Sequence, residues 1–452
     1  MNSNYIGKRG YTIYKDNLET KDLKKLMREL YVKPFVPNQF ANDTNSTAFP
    51  VYLESKKKIY IPKFFGIKKY GKVNYKIEDG KDINIKFKYD LRDNQKPVVE
   101  KYLEVANDIG GGIISVPCGF GKTVIALYLL AALKKKAIVI VHKEFLMDQW
   151  KERIQFFLPD AKIGKIQGKV IKSEGYDIVL GMLQSISMRD YEDDVFKDFG
   201  MVIYDECHHL GAEVFSRSLM KVNCKYTLGL SATPNRTDGL TKVFEWYLGD
   251  IVYLIKKREQ EEVKVRILEF YDDNEKYSDI KVNFKGQVNS PLMINTICEY
   301  EPRNQIILDE IRECIIEGRK ILLLSDRRNH LKYFKEKLEE LKFCTSGYYL
   351  GGMKQKDLKD SEEKDVMLGT FSMASEGFDC KELNTIIFAS PKSNIEQSVG
   401  RILRMKKEDR KVVPMVIDFV DKFSLFGRQA LKRKKFYEKN NYEIETIDFV
   451  KK

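Results

Sequence analysis

Three short stretches of this chain carry residue types suited to phosphate chemistry. The first is Gly119-Phe120-Gly121-Lys122-Thr123, set between the apolar run Ile113–Val116 and the helix-forming run Val124–Leu133. Glycines let successive backbone N–H groups curl inward, and a helix N-terminus adds partial positive charge, so the stretch has the make-up of a nucleotide-phosphate cradle. Lys122 can reach β- and γ-phosphates, and the Thr123 hydroxyl suits Mg²⁺. The full phosphate-loop pattern asks for glycine where this chain has Val116. By that pattern the match fails, which leaves a plain glycine turn open. The second stretch is Asp205-Glu206, at the end of the apolar run Met201–Tyr204. There Asp205 could hold the Mg²⁺ shell while Glu206 polarises water; two buried carboxylates need metal or solvent. The third holds Gln397, Arg401 and Arg404, spaced i, i+4, i+7, which predicts one shared helix face. Two guanidiniums on such a face can stabilise a transferring phosphoryl group, with a surface salt-bridge stripe as the bland alternative.

The elements that must position these groups follow from hydrophobic patterning. Apolar runs at Ile113–Val116, Ala137–Val141, Ile178–Gly181, Met201–Tyr204 and Thr227–Leu230, with helices between them, predict a parallel sheet covered on both faces. Ligands of such sheets bind beyond the carboxyl ends of the strands. The alternation restarts with Lys320–Ser325, Cys344–Leu350, Val366–Gly369, Thr385–Ala389 and Val412–Phe419. The fold class is therefore α/β: two tandem parallel-sheet domains at 86–255 and 303–452, a charged connector at 256–302, and a small N-terminal α+β accessory module at 1–85. In that module, Asn17–Leu30 reads as a helix, and Phe49–Leu53 with Ile59–Pro62 reads as a hairpin with a basic Lys-rich tip. The last residues carry Arg428, Lys432, Arg433, Lys434 and Lys435 beside Phe436 and Tyr437, a basic tail that suits a nucleic-acid strand or a solvated helix packed through its aromatics.

Composition narrows the class. The 452 residues are 43% hydrophobic and 32% charged, as expected of a globular protein with more than one domain. A formal charge of +13 favours polyanionic partners. Seven scattered cysteines and four histidines argue against a disulfide framework or a structural metal, and suggest a reducing, intracellular setting. No apolar run approaches the ~20 residues needed to span a bilayer, so a soluble protein without membrane partners is expected.

Taken in order, these stretches resemble the motifs of superfamily 2 helicases of the DExH branch. The Lys122 loop resembles motif I, and Asp205-Glu206-Cys207-His208 resembles motif II. Leu91-Arg92-Asp93-Asn94-Gln95 resembles the adenine-reading Q-type motif, Ile138–Lys143 motif Ia and Gly181–Ser185 motif Ib. Ser231-Ala232-Thr233-Pro234 resembles motif III, Leu323–Arg327 motif IV, Gly369–Asp379 motif V and Gln397–Arg404 motif VI. Within the superfamily the form is similar to the XPB-like repair and transcription group and to the helicases of large cytoplasmic DNA viruses, including the poxvirus transcript-release type. Glu301-Pro302-Arg303-Asn304-Gln305 and the Lys33-Pro34-Phe35 region favour the viral set. The XPB-like group has Arg-Glu-Asp after motif III, whereas this chain has Arg236-Thr237-Asp238.

The resemblance implies two RecA-like domains and ATP with Mg²⁺ as cofactors. It makes Lys122, Asp205, Glu206, Gln397, Arg401 and Arg404 catalytic, with Thr123 and Asp205 toward the metal. It places ATP against Arg92, Gln95, Gly119, Gly121, Lys122, Thr123, Gly377 and Asp379. His142, Lys143, Gln184, Ser185, Ser325, Arg327 and Thr370 would meet a DNA or RNA backbone, and His208, Ser231 and Thr233 would couple the two sites. The expected function is an ATP-driven helicase or translocase in viral transcription or transcript release, with transcription machinery as a partner and the virion and host cytoplasm as its location. A duplex-DNA translocase for repair or branch migration, and an ATP-gated scaffold with little hydrolysis, stay open beside it.

Overall fold

The computed structural model describes residues 3–35, 48–117, 119–192, 194–208, 213–232, 239–255, 261–284, 286–376, 380–405 and 407–450. Of the expected site residues, Thr233, Gly377 and Asp379 lie outside these, as does the Arg236-Thr237-Asp238 departure. The chain divides into two compact units, Met1–Lys257 and Arg258–Lys452.

The first unit is built on an eight-stranded sheet in the order Val170–Lys172, Ile163–Gln167, Ile178–Met182, Ala137–Val141, Met201–Tyr204, Tyr226–Ser231, Gly111–Ser115, Ile251–Leu254. All neighbours are parallel except Val170–Lys172, which turns back against Ile163–Gln167. The strands at 111–115, 137–141, 178–182 and 201–204 are buried at every position. That burial on both faces is why their sequences run apolar without alternation. Helix Lys96–Ile109 begins with Pro97 in its first turn and stops at Gly110, whose φ of 90° is the left-handed cap that glycine supplies without strain.

In front of this sheet lies a five-stranded one, ordered Leu53–Glu54, Lys58–Ile61, Gly10–Tyr14, Tyr5–Gly7, Asn74–Tyr75. Helix Thr20–Glu29 occupies the expected helical segment. The expected hairpin forms with Leu53 opposite Tyr60 and Glu54 opposite Ile59. Its Lys58 is not at a solvated tip, because its amine donates to Tyr5 Oη at 3.1 Å and lies over the Tyr14 ring. Helix Lys63–Tyr70 joins the small sheet to the large one: Phe65 meets Trp246 edge-on at 5.1 Å, and Tyr247 Oη donates to Val51 O at 2.9 Å. Lys63 is buried in the same join, donating to Lys225 O at 2.7 Å.

The second unit holds seven strands, all parallel, in the order Ser346–Tyr349, Val366–Gly369, Ile321–Leu324, Thr385–Phe388, Met415–Asp421, Lys264–Tyr271, Glu443–Val450. Two expectations change here. The charged stretch 256–302 is more than a connector: Lys264–Tyr271 is a sheet strand, and helix Ser290–Cys298 buries Met293, Ile294 and Ile297 in the core. Its charges alternate onto one face, where Arg266 pairs with Glu310 at 2.9 Å and Glu445 at 3.4 Å. The basic tail is helix Ser424–Lys439 followed by strand Glu443–Val450. Arg433 and Tyr437 do not face a strand of nucleic acid; both are buried on Asp418, with Arg433 Nε and Tyr437 Oη each donating at 2.9 Å. A buried guanidinium needs such a carboxylate, and the sequence alone does not reveal the partner.

Candidate active site

The phosphate-loop residues follow strand Gly111–Ser115 and lead into helix Lys122–Leu133. Gly119 and Gly121 have φ of 83° and 98°, left-handed values that a β-carbon would strain. Gly121 is also tightly approached, since a β-carbon there would stand 2.4 Å from Gln95 Nε2. Val116, where the phosphate-loop pattern asks for glycine, is still sheet-like and fully buried, its N–H donating to Ser231 O at 3.2 Å. The loop therefore bends only after Pro117, which explains why glycine is not required at 116.

Gln95 is buried against this loop. Its Nε2 donates to Phe120 O at 2.9 Å, and its Oε1 accepts from Arg92 N at 3.1 Å. The amide assigned to adenine is thus engaged at both ends by the protein, and keeps one N–H and one lone pair for a base. Arg92 itself is exposed at the start of this turn.

Strand Met201–Tyr204 ends at Asp205, and Glu206 takes a φ of 47°, unusual for a residue with a β-carbon. That turn brings Glu206 Oε1 to Lys122 Nζ at 3.0 Å, with both side chains mostly enclosed. Asp205 Oδ2 accepts from Trp150 Nε1 at 2.8 Å, and its Oδ1 accepts from Glu206 N at 3.0 Å. Burial, then the charge of Glu206, pushes the Asp205 carboxyl pKa up, against the pull of Lys122. Two enclosed carboxylates share one ammonium, a donor set with room for the divalent charge of Mg²⁺. Sequence reasoning missed Trp150; a buried indole N–H demands an acceptor, but which one is a tertiary fact. His208 Nδ1 lies 3.1 Å from Ser231 Oγ and 3.5 Å from Glu206 Oε2, so it bridges the carboxylate and the end of strand Tyr226–Ser231. Thr123 stands in the first helical turn beside Lys122.

The residues expected to meet nucleic acid are placed unevenly. In the first unit, His142 follows strand Ala137–Val141, and Lys143 caps the next helix with its amine 6.0 Å from the Phe145 ring. Gln184 is exposed, while Ser185 Oγ accepts from Gly168 N at 2.9 Å. In the second unit, Ser325 is fully buried, 3.0 Å from His330 Nδ1 and accepting from Arg327 N at 3.1 Å. It organises the strand end and presents nothing to a backbone. Arg327 donates to Pro291 O at 3.0 Å and to Asn295 Oδ1, and lines a cavity of about 470 Å³ with Arg328, Asn329 and Tyr333. Thr370 Oγ1 lies 3.1 Å from Ser372 Oγ at the end of strand Val366–Gly369.

Gln397, Arg401 and Arg404 do not share a two-turn helix. The helix spans only Glu396–Val399, and the chain tightens into Arg401 N→Ser398 O and Ile402 N→Val399 O bonds after Gly400. Glycine there weakens helix continuation, so the i, i+4, i+7 argument does not hold. Arg401 is buried, its Nε donating to Ala374 O at 2.6 Å, and Arg404 is half-buried.

A bent glycine loop, a lysine–glutamate pair and a strand-end aspartate on a parallel sheet define a nucleotide-hydrolysing class of α/β protein. Residues 88–236 match the family model "Type III restriction enzyme, res subunit", and residues 303–406 match "Helicase conserved C-terminal domain". A protein of Acanthamoeba polyphaga mimivirus, named "Putative ATP-dependent RNA helicase", is 36% identical over 96% of this chain and 85% of its own length. A protein of African swine fever virus with the same name is 25% identical over 80% of this chain and 75% of its own length. Among solved structures, T4 UvsW aligns over 95% of this chain and 96% of its own at 17% identity, with a TM-score of 0.35, too low to add to the fold. The chain belongs to the superfamily 2 helicases of large DNA viruses, and is an ATP-dependent enzyme acting on nucleic acid.

Proposed function

We propose that this helicase hydrolyses ATP with Mg²⁺ to move along a nucleic-acid strand, and that it serves viral transcription or transcript release. The observation that carries the reading is the Lys122–Glu206 pair at 3.0 Å beside Asp205, in the DExH arrangement at the carboxyl ends of adjacent parallel strands. Bound ATP and Mg²⁺ supply the transferable phosphoryl group and the cation that neutralises its charge. Lys122 exchanges Glu206 for phosphate oxygen, and Glu206, so released, orients and polarises the attacking water. Asp205, fixed by Trp150 and the Glu206 N–H, keeps lone pairs for the metal shell, which the Thr123 hydroxyl completes. His208 and Ser231 then relay the state of Glu206 to the strand Tyr226–Ser231. The roles of Arg401 and Arg404 toward the phosphates, like those of Gly377 and Asp379, rest on the resemblance alone. Residues 1–85 act as an accessory module to the motor. The relatives named as RNA helicases support RNA as the substrate.

Steady-state ATPase measured alone and with single-stranded RNA, single-stranded DNA and duplexes tests this. Strong stimulation by RNA is expected; a rate indifferent to every nucleic acid would overturn the motor reading.

A further inference from the structure

Between helix Glu275–Ser278 and helix Ser290–Cys298 the second unit projects a small β-hairpin. Val282 pairs with Val288, Asn289 N donates to Lys281 O at 2.8 Å, and Asn283 N donates to Gln287 O at 2.8 Å. Asn283 Oδ1 accepts from Gln287 N at 3.1 Å, and Gly286 turns the tip with φ of 71°. These bonds hold a rigid turn whose tip residue, Phe284, is 95% exposed, with Val282 and Val288 also exposed on the hairpin. A stiff scaffold that keeps a phenyl ring in water gives up apolar burial that a floppy loop could recover, so it points to a ligand with a flat apolar face.

Two observations choose that ligand. From Ile280 to Cys298 the sequence contains no Asp or Glu, so nothing there repels a polyanion. The hairpin also runs directly into the helix that Arg327 holds: Asn289 Oδ1 caps it by accepting from Leu292 N at 3.2 Å, and Pro291 O accepts from Arg327 Nη2. The ring is thereby tied through one short helical turn to the rim where strand Ile321–Leu324 ends. We propose that the Lys281–Asn289 hairpin is a nucleic-acid contact in which Phe284 stacks on an unpaired base. This rests on the nucleic-acid-motor reading above and adds an element outside every motif of the family resemblance. Stacking reads π-faces rather than sequence, so the contact would be tolerant of base identity.

The test uses the full chain and fluorescence-anisotropy titration of a labelled single-stranded oligopyrimidine, in RNA and DNA forms. Phe284→Ala should weaken binding about 5- to 150-fold, the range of one lost base–aromatic stack. Because stacking releases no counterions, that factor should stay constant between about 50 and 200 mM salt, giving parallel salt plots. Phe284→Trp should restore affinity, and its added emission should be quenched when the strand binds. Ile316→Ser, an exposed apolar residue elsewhere on the unit, should change neither. Wild-type affinity in Phe284→Ala, a salt slope that changes with the substitution, or loss restricted to capture of a protein partner would each overturn the hairpin contact while leaving the motor reading in place. A wild-type chain that binds no nucleic acid would overturn both.

Discussion

Replacing Lys63 by methionine should change how the stability of the first unit depends on pH. The Lys63 amine is buried, donating to Lys225 O at 2.7 Å and Gly110 O at 3.4 Å, with the Phe64 and Tyr75 rings at 4.8 and 5.4 Å. Burial, with the nearby charge of Lys225 adding to it, brings its pKa from 10.5 down to about 7. The folded value lies below the unfolded one, so between about 7 and 10.5 the unfolded chain binds more protons, and stability rises with pH across that window. The whole gap is worth roughly 5 kcal/mol, of which about 2 kcal/mol falls between pH 7 and 9. Methionine keeps the volume and removes the titration. It also leaves two carbonyls short of a donor, an offset of ~1–3 kcal/mol that does not vary with pH. Urea unfolding followed by tryptophan emission reports the first unit alone, because the two tryptophans, Trp150 and Trp246, both belong to it. The difference between wild type and variant should move by about 2 kcal/mol in favour of wild type from pH 7 to 9. A difference that stays flat over that range would refute the reasoning.

Other consequences can be measured directly. Lys122→Ala and Glu206→Gln should each lower ATP turnover by at least ~10²-fold while single-strand binding is retained, read by steady-state ATPase and anisotropy; unfolding of either variant would mean that the 3.0 Å pair is structural. Asp421→Asn strips the counter-charge from Arg303, both fully buried with Nε and Oδ1 2.7 Å apart, and should cost the second unit ~3–5 kcal/mol, seen as early melting by circular dichroism. Arg433→Gln should destabilise that unit in the same way, without altering the salt slope of nucleic-acid binding. A reduced slope with unchanged melting would return Arg433 to the nucleic-acid surface.

The sheets were legible wherever burial made the sequence continuous. The strands Ala137–Val141, Met201–Tyr204 and Val366–Gly369 have the bounds that their apolar runs predict. Strands with one polar face were missed: Ile163–Gln167 alternates, and Lys264–Tyr271 with Glu443–Val450 places charges outward, where they read as solvated connector and tail. The phosphate loop and Asp205-Glu206 could be read because their chemistry is local to a strand end. What held them was not local. Trp150 reaches Asp205 from a distant helix, and the left-handed turn at Glu206 that meets Lys122 leaves no mark in composition. Ser325 and Arg433 were misjudged for the same reason, since polar residues look like ligands until His330 and Asp418 appear beside them.

Strand Lys264–Tyr271 has Met415–Asp421 on one side and Glu443–Val450 on the other, with Lys264 opposite both Met415 and Glu443. On the ribosome this strand emerges long before either neighbour, so both its edges stay open while the intervening chain is made. Unpaired edges of that kind recruit strands from other chains. The charges along it, Lys264, Arg266 and Glu269, therefore serve during synthesis as well, as gatekeepers against mispairing between nascent copies.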